Sequence, residues 1–188
     1  RHLKFGGILI ELNGDALGPT STVVGVGLNV RLPAAARKDI PVPVTDLAES
    51  GAHLYLWTTN RFLEDAYAVA RAWEFRPAQL LTWCKPPMGV GFGGAFTTTS
   101  EFCIFARRGS LKHLQREDSS WWQWSRPYEN GHIAHSAKPE AFLDMVERVS
   151  PSPRLELFAR RQRLGWDTWG NEALEHVVLA GQEGKPDE

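Results

Sequence analysis

Two charged residues stand in contexts that suit the binding of a small molecule. Glu156 lies mid-run in Arg154-Leu-Glu-Leu-Phe158, which has the composition of a strand. A carboxylate near the end of a parallel strand commonly holds ribose hydroxyls in nucleotide-binding folds. Its alternation with two leucines also fits a solvent-facing side chain. Lys138 precedes a predicted helix, whose free N–H groups together with a lysine suit an anion, although the lysine is also compatible with an ordinary helix start.

Clusters of like residues add further candidates. Arg160, Arg161 and Arg163 either bind phosphate or belong to a solvated loop. His132 and His135 are three residues apart, but the sequence places no third ligand beside them, so no metal site is predicted.

The segment from Ser119 to Pro127 contains Trp121, Trp122 and Trp124, with Arg116 and Arg126 nearby. These indoles either stack on nucleic-acid bases, at about 1–3 kcal/mol each, or fold the loop back onto the core. Both interpretations remain open on the sequence alone.

The candidate residues are carried by a regular alternation of elements. Apolar runs predict strands at Leu54–Trp57, Gln79–Cys84, Phe102–Ala106 and Arg154–Phe158. Helices are predicted by apolar stripes after Asn60, a candidate cap, and after Pro139. Strand, helix and strand within about 30 residues form a crossover unit, which implies parallel strands. The long Gly- and Thr-rich segment 85–100 is typical of a functional or mobile loop.

Bulk properties limit the class of protein. The 188 residues suffice for one domain with a core, and the net charge of -1 gives no strong overall field for nucleic acid, so such contacts would need local basic patches. Cys84 and Cys103 lie in apolar runs, which favours reduced thiols and a cytoplasmic location. No apolar stretch is long enough to span a membrane.

Taken in order, these segments resemble the adenine-N6 methyltransferases related to the mRNA adenosine methylase. The matching segments are His53-Leu-Tyr-Leu-Trp-Thr-Thr-Asn60, Trp83-Cys-Lys-Pro86, Glu101-Phe-Cys-Ile-Phe-Ala-Arg-Arg-Gly109, His135-Ser-Ala-Lys-Pro139 and the stretch 147–172. The resemblance covers about two thirds of the chain, and its last two segments are specific.

The resemblance implies a Rossmann-like α/β fold that binds S-adenosylmethionine. It places Lys138 on the methionine carboxylate and Glu156 on the ribose hydroxyls. Arg160, Asn171 and Glu172 complete the implied cofactor pocket, while Lys85 and Glu101 lie near the target adenine. A cation for a carboxylate and a carboxylate for a diol are chemically apt pairings.

One motif of the resembled family is missing from the sequence. The family carries Asp-Pro-Pro-Trp, or a close variant, upstream of the segment that begins here near residue 40, and that motif orients the target amine. Lys85-Pro-Pro-Met88 lacks both the acid and the aromatic residue. Because orientation accounts for several kcal/mol of a barrier, no catalytic residue is assigned.

In place of that upstream segment stands a second resemblance. Lys4-Phe-Gly-Gly-Ile-Leu-Ile-Glu11 and Val24-Gly-Val-Gly-Leu-Asn-Val30 resemble the central hairpin of biotin protein ligase, in which Lys4 and Gly7 would contact biotin. The ligase's Gly- and Arg-rich adenylate loop is absent, so biotin ligation is not expected. The join is placed near residues 45–52.

The sequence thus predicts an α/β fold, a partial Rossmann-like methyltransferase sheet with an N-terminal β-hairpin. Residues 1–48 would form the hairpin, 49–180 the methyltransferase-like domain and 181–188 a disordered tail. The leading hypothesis is S-adenosylmethionine-dependent methylation of adenine N6 in DNA or RNA. The alternatives are a non-catalytic remnant that binds cofactor, nucleic acid or a related methyltransferase subunit, and a weak biotin-binding fragment. Whether the chain is an enzyme, and whether the fusion is natural or an artefact, stays open.

Overall fold

A single mixed sheet organises the part of the chain that the structure describes. The structure is a computed structural model and describes residues 20–25, 48–86, 95–129, 131–134 and 137–169. The strands are β1 (Thr20–Gly25), β2 (Ala48–Thr58), β3 (Arg76–Cys84), β4 (Ser100–Arg108), β5 (Trp121–Gln123), β6 (Tyr128–Glu129), β7 (His132–Ile133), β8 (Arg154–Leu157) and β9 (Asp167–Trp169). Seven of them form one sheet in the order β5-β3-β4-β2-β1-β8-β9, and β6 pairs with β7 separately.

Six strands of the large sheet run in one direction and β4 runs against them. β4 pairs antiparallel with both β2 and β3, whereas β5, β1, β8 and β9 pair parallel with their neighbours. The predicted crossover from β2 to β3 therefore connects strands of the same direction, as expected, but β4 lies between them. The α/β fold class is confirmed by this mixed, open sheet.

Two helices cover the sheet within the part of the chain that the structure describes. α1 (Leu63–Ala72) follows a 3-10 turn at Asn60–Phe62, and α2 (Glu140–Val149) precedes β8. Asn60 lies inside the turn and neither α1 nor the turn has a side-chain cap, so the predicted cap was wrong. The stripe predicted for α2 is confirmed, since Phe142, Met145 and Val146 are buried.

The core lies on both faces of the sheet because alternate residues of β2 are buried on opposite sides. Leu54 and Leu56 pack in the cluster that contains α1 residues such as Val69. Tyr55 and Trp57 pack in the other cluster with α2. A strand buried on both faces reads as a continuous apolar run, which is how the segment 54–57 appears in the sequence.

The N-terminal strand occupies the centre of the sheet rather than a hairpin. Thr22 to Gly25 pair in parallel with His53 to Leu56 on one side and with Arg154 to Leu157 on the other. Both edges of β1 are therefore filled along these residues, which leaves no edge for residues 7–12 to pair with there. The hairpin expected between 7–12 and 22–30 is wrong for 22–25, and residues 7–12 lie outside the described part. β1 and the strands after residue 48 share one sheet.

Candidate functional site

The order in which the chain connects its strands marks a place for ligand binding at the C-terminal ends of the parallel strands. From β1 the chain continues to β2 on one side, and from β8 it continues to β9 on the other. Strand order thus reverses between β1 and β8. In open α/β sheets, ligands bind beyond the carboxyl ends of the strands at this kind of reversal. Gly25 and Leu157 stand side by side at that edge.

Three of the predicted site residues meet at the same edge, where β3 ends and β4 begins. Glu101 accepts a hydrogen bond from Lys138 Nζ at 2.7 Å through Oε2. Its Oε1 accepts one from Lys85 Nζ. All three side chains are mostly buried, at 13–18% exposure. Lys85 and Glu101, expected near the substrate, and Lys138, expected at the cofactor, therefore form one cluster, here called the Lys–Glu–Lys cluster.

Two tryptophans form a bed beneath this cluster. Lys85 Nζ lies 4.9 Å from the ring centroid of Trp83, and Lys138 Nζ lies 5.2 Å from that of Trp57. The two indoles meet edge to face at 6.2 Å. Cations over indole faces are held by the ring quadrupole in addition to their carboxylate. The two indole rings therefore hold both lysine ammonium groups in surroundings of low dielectric constant.

The cluster keeps Glu101 ionised despite its burial. Burial alone would raise the pKa of this carboxyl, but the charges and hydrogen bonds of Lys138 and Lys85 outweigh it, so the pKa lies below its ordinary value. The cluster consequently carries two positive charges against one negative charge. An excess of positive charge in a partly buried site favours an anionic ligand.

Glu156 lies half-buried in the middle of β8, one residue before its end. Burial is the main cause that raises its pKa to about 7, and the neighbouring Glu140 raises it further against the opposing charges of Arg161 and Arg163. No hydrogen bond to its carboxyl comes from the described residues. A carboxyl held without donors in such a place has acceptor capacity for a ligand.

The arginines after β8 are mostly engaged with α2. Arg163 donates to Glu147 at 2.7 Å, to Asp144 at 2.6 Å and to Glu140 at 2.9 Å. Arg161 pairs with Glu140 as well. The hydrogen bond from Arg163 to Glu147 is the main reason that the pKa of Glu147 lies below its ordinary value. Arg163 thus serves as a clamp on α2 and is not a free phosphate ligand.

The tryptophan segment divides into packed and exposed members. Trp122 and Trp124 stack at 5.1 Å with their planes 10° apart, and both pack against the cluster of α2. Trp83 Nε1 donates to the carbonyl oxygen of Trp124 at 2.9 Å. Trp121 is 61% exposed. Packing therefore accounts for the positions of Trp122 and Trp124, which are both half-buried, and Trp121 is the most exposed of the three.

Several predicted residues lie outside the described part of the chain or have no role assigned by it. Asn171, Glu172, Lys4 and Gly7 are not described, and neither are His135 and the tail 181–188. Arg160 is half-buried, lies three residues after the end of β8 and has a partner. Among the residues described, no group of three or more His, Cys, Asp or Glu side chains is arranged for a metal ion.

A buried hydrogen-bond network of His53, Tyr55 and Ser150 was not predicted from the sequence. Ser150 Oγ lies 2.8 Å from both His53 Nδ1 and Tyr55 Oη, and all three residues are almost fully buried. Burial lowers the pKa of His53, which is therefore neutral at pH 7. The signal was available in the run His53-Leu-Tyr55, where polar side chains alternate with leucine inside a strand.

The fold and the site define an α/β protein whose candidate ligand site lies at the C-terminal ends of its strands, where the strand order reverses. The family model described as MT-A70 matches residues 35–172, so the chain belongs to the MT-A70 family. It is also 27% identical over 138 residues to the Type II methyltransferase M.MunI of a Mycoplasma species.

The ranges of these matches can be compared with the predicted boundary between the two resembled families near residues 45–52. The alignment with the Mycoplasma protein covers 72% of this chain and 56% of the relative, so the chain spans about half the length of that relative. The family match confirms the predicted family. It begins at residue 35, ahead of the expected boundary at residue 48. The resemblance of residues 1–48 to biotin protein ligase stays a prediction. Neither described helix has the length and hydrophobicity of a membrane span.

Proposed function

We propose that this chain is the core of an S-adenosylmethionine-dependent methyltransferase that acts on adenine N6 in DNA or RNA. The observation that carries the proposal is the Lys–Glu–Lys cluster. Lys138, Glu101 and Lys85 come from three segments separated by 37 and 16 positions in sequence, yet they share one set of hydrogen bonds. Their cluster lies at the carboxyl edge of the sheet in a chain of the MT-A70 family.

The residues present suit the proposed cofactor. Lys138 has two N–H groups beyond the one given to Glu101, so it can hold a carboxylate while it keeps its ion pair. Glu156 offers an acceptor without a donor among the described residues, which suits a ribose diol. The buried indole N–H of Trp57 also has no partner in the described part of the chain. S-adenosylmethionine, when bound, supplies an electrophilic methyl group.

The chain's own contribution to such a reaction is orientation and exclusion of water. Trp57 and Trp83 shield the cluster from water on one side, which strengthens the electrostatic interactions of its charged groups. Lys85 and Glu101 stand where β3 and β4 meet, beside the segment 85–100, and we assign them to the adenine side of the site. Exocyclic amine and sulfonium methyl must align for direct transfer, and no covalent enzyme intermediate is needed.

A second candidate function is binding without catalysis. The sequence contains no Asp-Pro-Pro-Trp or close variant within its 188 residues. Without that clamp, the target amine loses its orientation, which is worth several kcal/mol of barrier. In this case the chain binds cofactor or nucleic acid alone, or a related methyltransferase subunit supplies the missing clamp. Residual biotin binding through Lys4 and Gly7 is a weaker candidate.

Calorimetric titration with S-adenosylhomocysteine tests the cofactor site. The wild-type chain is expected to bind in the micromolar range, and a Lys138→Ala, Glu156→Ala double variant is expected to lose at least a hundredfold in affinity, at about 1.4 kcal/mol per tenfold. A matched control is the Lys112→Ala, Glu64→Ala double variant, which removes the same charges from exposed positions. Equal affinity in all three proteins would overturn the proposed cofactor site.

Transfer of labelled methyl to adenine-containing oligonucleotides then separates the two candidate functions. Label on adenine N6, lost in the Lys138 and Glu156 variant, establishes the enzyme. Cofactor binding without transfer to either DNA or RNA favours the binding function. Transfer restored by a related subunit identifies complementation in trans.

A further inference from the structure

A cavity lies on the α2 face of the sheet, away from the Lys–Glu–Lys cluster. It has a volume of about 380 Å³, within the range of small-molecule sites. Its lining uses residues 53 and 55 of β2, 79 and 81 of β3, and 105 and 107 of β4. These positions are several residues back from Thr58, Lys85 and Glu101, which separates the two sites by roughly 10–15 Å along the strands. The cofactor edge and this cavity are therefore distinct places.

The wall of the cavity is aromatic and aliphatic. Phe105 and Trp122 line it, together with Leu81, Met145 and Val149. The floor is fixed by the buried network of His53, Tyr55 and Ser150, in which each side-chain hydroxyl or imidazole nitrogen already has a partner. A rigid floor with aromatic sides suits a flat ring, since aromatic rings attract one another in stacked and edge-to-face arrangements.

The mouth of the cavity carries positive charge. Arg116 is exposed and makes no hydrogen bond or ion pair with a described residue. Arg107 donates to the carbonyl oxygen of Leu111 at 2.8 Å, but its buried Nε has no partner in the described residues. The acid in the lining, Glu117, is neutralised by Arg148 at 2.8 Å. Burial keeps His53 neutral by lowering its pKa. The guanidinium group of Arg116, and the part of the Arg107 guanidinium that is not bonded to Leu111, are thus left to an incoming anion.

We infer that this cavity binds a small planar aromatic anion of the nucleoside monophosphate class. The ring would lie against Phe105 and Trp122, and the phosphate would pair with Arg116 and Arg107. Guanidinium groups match phosphate oxygens in bidentate geometry, which a lysine does not. The site differs from the proposed cofactor site in place and in ligand, and neither requires the other.

Equilibrium dialysis with uridine 5′-monophosphate tests the inference without an adenine that the cofactor site would accept. One equivalent is expected to bind, and uridine and inorganic phosphate are each expected to bind at least tenfold more weakly, because each lacks half of the contacts. Saturation with S-adenosylhomocysteine is expected to leave the affinity unchanged. Displacement by it would assign the binding to the cofactor edge and overturn the second site.

Two exposed positions on one loop give a matched pair of variants. Arg116→Gln is expected to weaken binding of uridine 5′-monophosphate about tenfold. Lys112→Gln removes the same charge four residues away, outside the lining, and is expected to leave binding unchanged. Because both side chains are exposed, neither change should unfold the chain. Equal weakening in both variants would reduce the effect to overall charge and contradict a built site, as would the absence of any binding.

Discussion

At the scale of single residues, the two carboxyl groups of the candidate site are tuned in opposite directions. Glu101 is ionised because its two hydrogen-bonded lysines outweigh its burial, whereas at Glu156 burial outweighs the charges of Arg161 and Arg163 and raises the pKa to about 7. Both carboxyl oxygens of Glu101 therefore accept hydrogen bonds from lysines, which orders the C-terminal end of the sheet around the proposed site. None of the described residues donates a hydrogen bond to Glu156, so its acceptor capacity suits a ligand with hydroxyl groups.

Glu156 should make stability fall with rising pH. A folded pKa of about 7 against 4.5 means that the native state holds a proton which the unfolded state has released. The corresponding stabilisation is complete below pH 4.5 and is lost as pH rises to 7, by up to about 3 kcal/mol. Glu156→Gln should remove this dependence, and urea denaturation at pH 5 and pH 8 measures it.

The variant and wild type should differ little at pH 5, and Glu156→Gln should be the more stable at pH 8. Glu64→Gln, an exposed change on α1, serves as the control and should show no such growth in the difference. Parallel stability curves for Glu156→Gln and wild type would contradict the burial of this carboxyl. If hydroxyl groups of a ligand bind the ionised form, the affinity of wild type for S-adenosylhomocysteine should also rise between pH 6 and 8.

At the scale of elements, the segment after β8 is fastened to α2 by one arginine. Glu140, Asp144 and Glu147 recur along one side of the helix at spacings of four and three, and Arg163 reaches all three. Trp166 donates to Glu147 at 2.7 Å and closes the same contact. This fastening holds the end of β8, and hence Glu156, against the start of α2.

Replacing Arg163 by methionine should lower the free energy of unfolding by about 1–2 kcal/mol, because three charged hydrogen bonds to partly exposed acids are lost. The loss should shrink at about 1 M salt, where screening weakens the wild-type contacts. Urea denaturation at low and high salt checks both statements. Arg161→Met, which removes a more exposed arginine that pairs with Glu140, should cost less than half as much. Equal losses in the two variants would show that Arg163 is no clamp.

Element patterns explain which parts of the fold were predictable. Apolar runs and stripes located β2, β3, β4, β8 and both helices, because buried faces impose a period on the sequence. Strand neighbours did not follow, since nothing local in Phe102–Ala106 shows that β4 inserts between β2 and β3. The site was predicted through family resemblance, and the structure brings Lys85, Glu101 and Lys138 together. The pairing of Glu101 with both lysines, and the network around Ser150, depend on contacts between distant segments.

At the scale of the whole molecule, β1 was assigned by the sequence to the N-terminal hairpin but lies between two strands of the predicted methyltransferase-like domain. It is the direct neighbour of β2 and β8, and these two strands have no pairing with each other. The sheet on one side of β1 carries the Lys–Glu–Lys cluster, and the other side carries Glu156. Their relative position therefore depends on a strand that lies before residue 48.

A fragment that begins at residue 46 tests the boundary expected at residue 48. Without β1, strands β2 and β8 expose unpaired edges and the sheet separates into two parts. We expect this fragment to lose its cooperative thermal transition, measured by circular dichroism, and to bind no S-adenosylhomocysteine. A fragment with the transition of the full chain would instead establish 49–180 as an independent domain. Deletion of residues 181–188 is the control and should leave the transition unchanged.

Because β1 lies at the centre of the sheet, one of its sides stays unpaired for a time while the chain is being synthesised. One edge of β1 can pair as soon as β2 has emerged from the ribosome, but the other must wait for β8, which ends at residue 157. Translation of the intervening stretch takes roughly 5–20 s at typical rates. Throughout that interval a central strand presents open main-chain groups, which are a template for wrong pairing with other chains. We expect nascent chains of this protein to depend on chaperones until β8 closes the sheet.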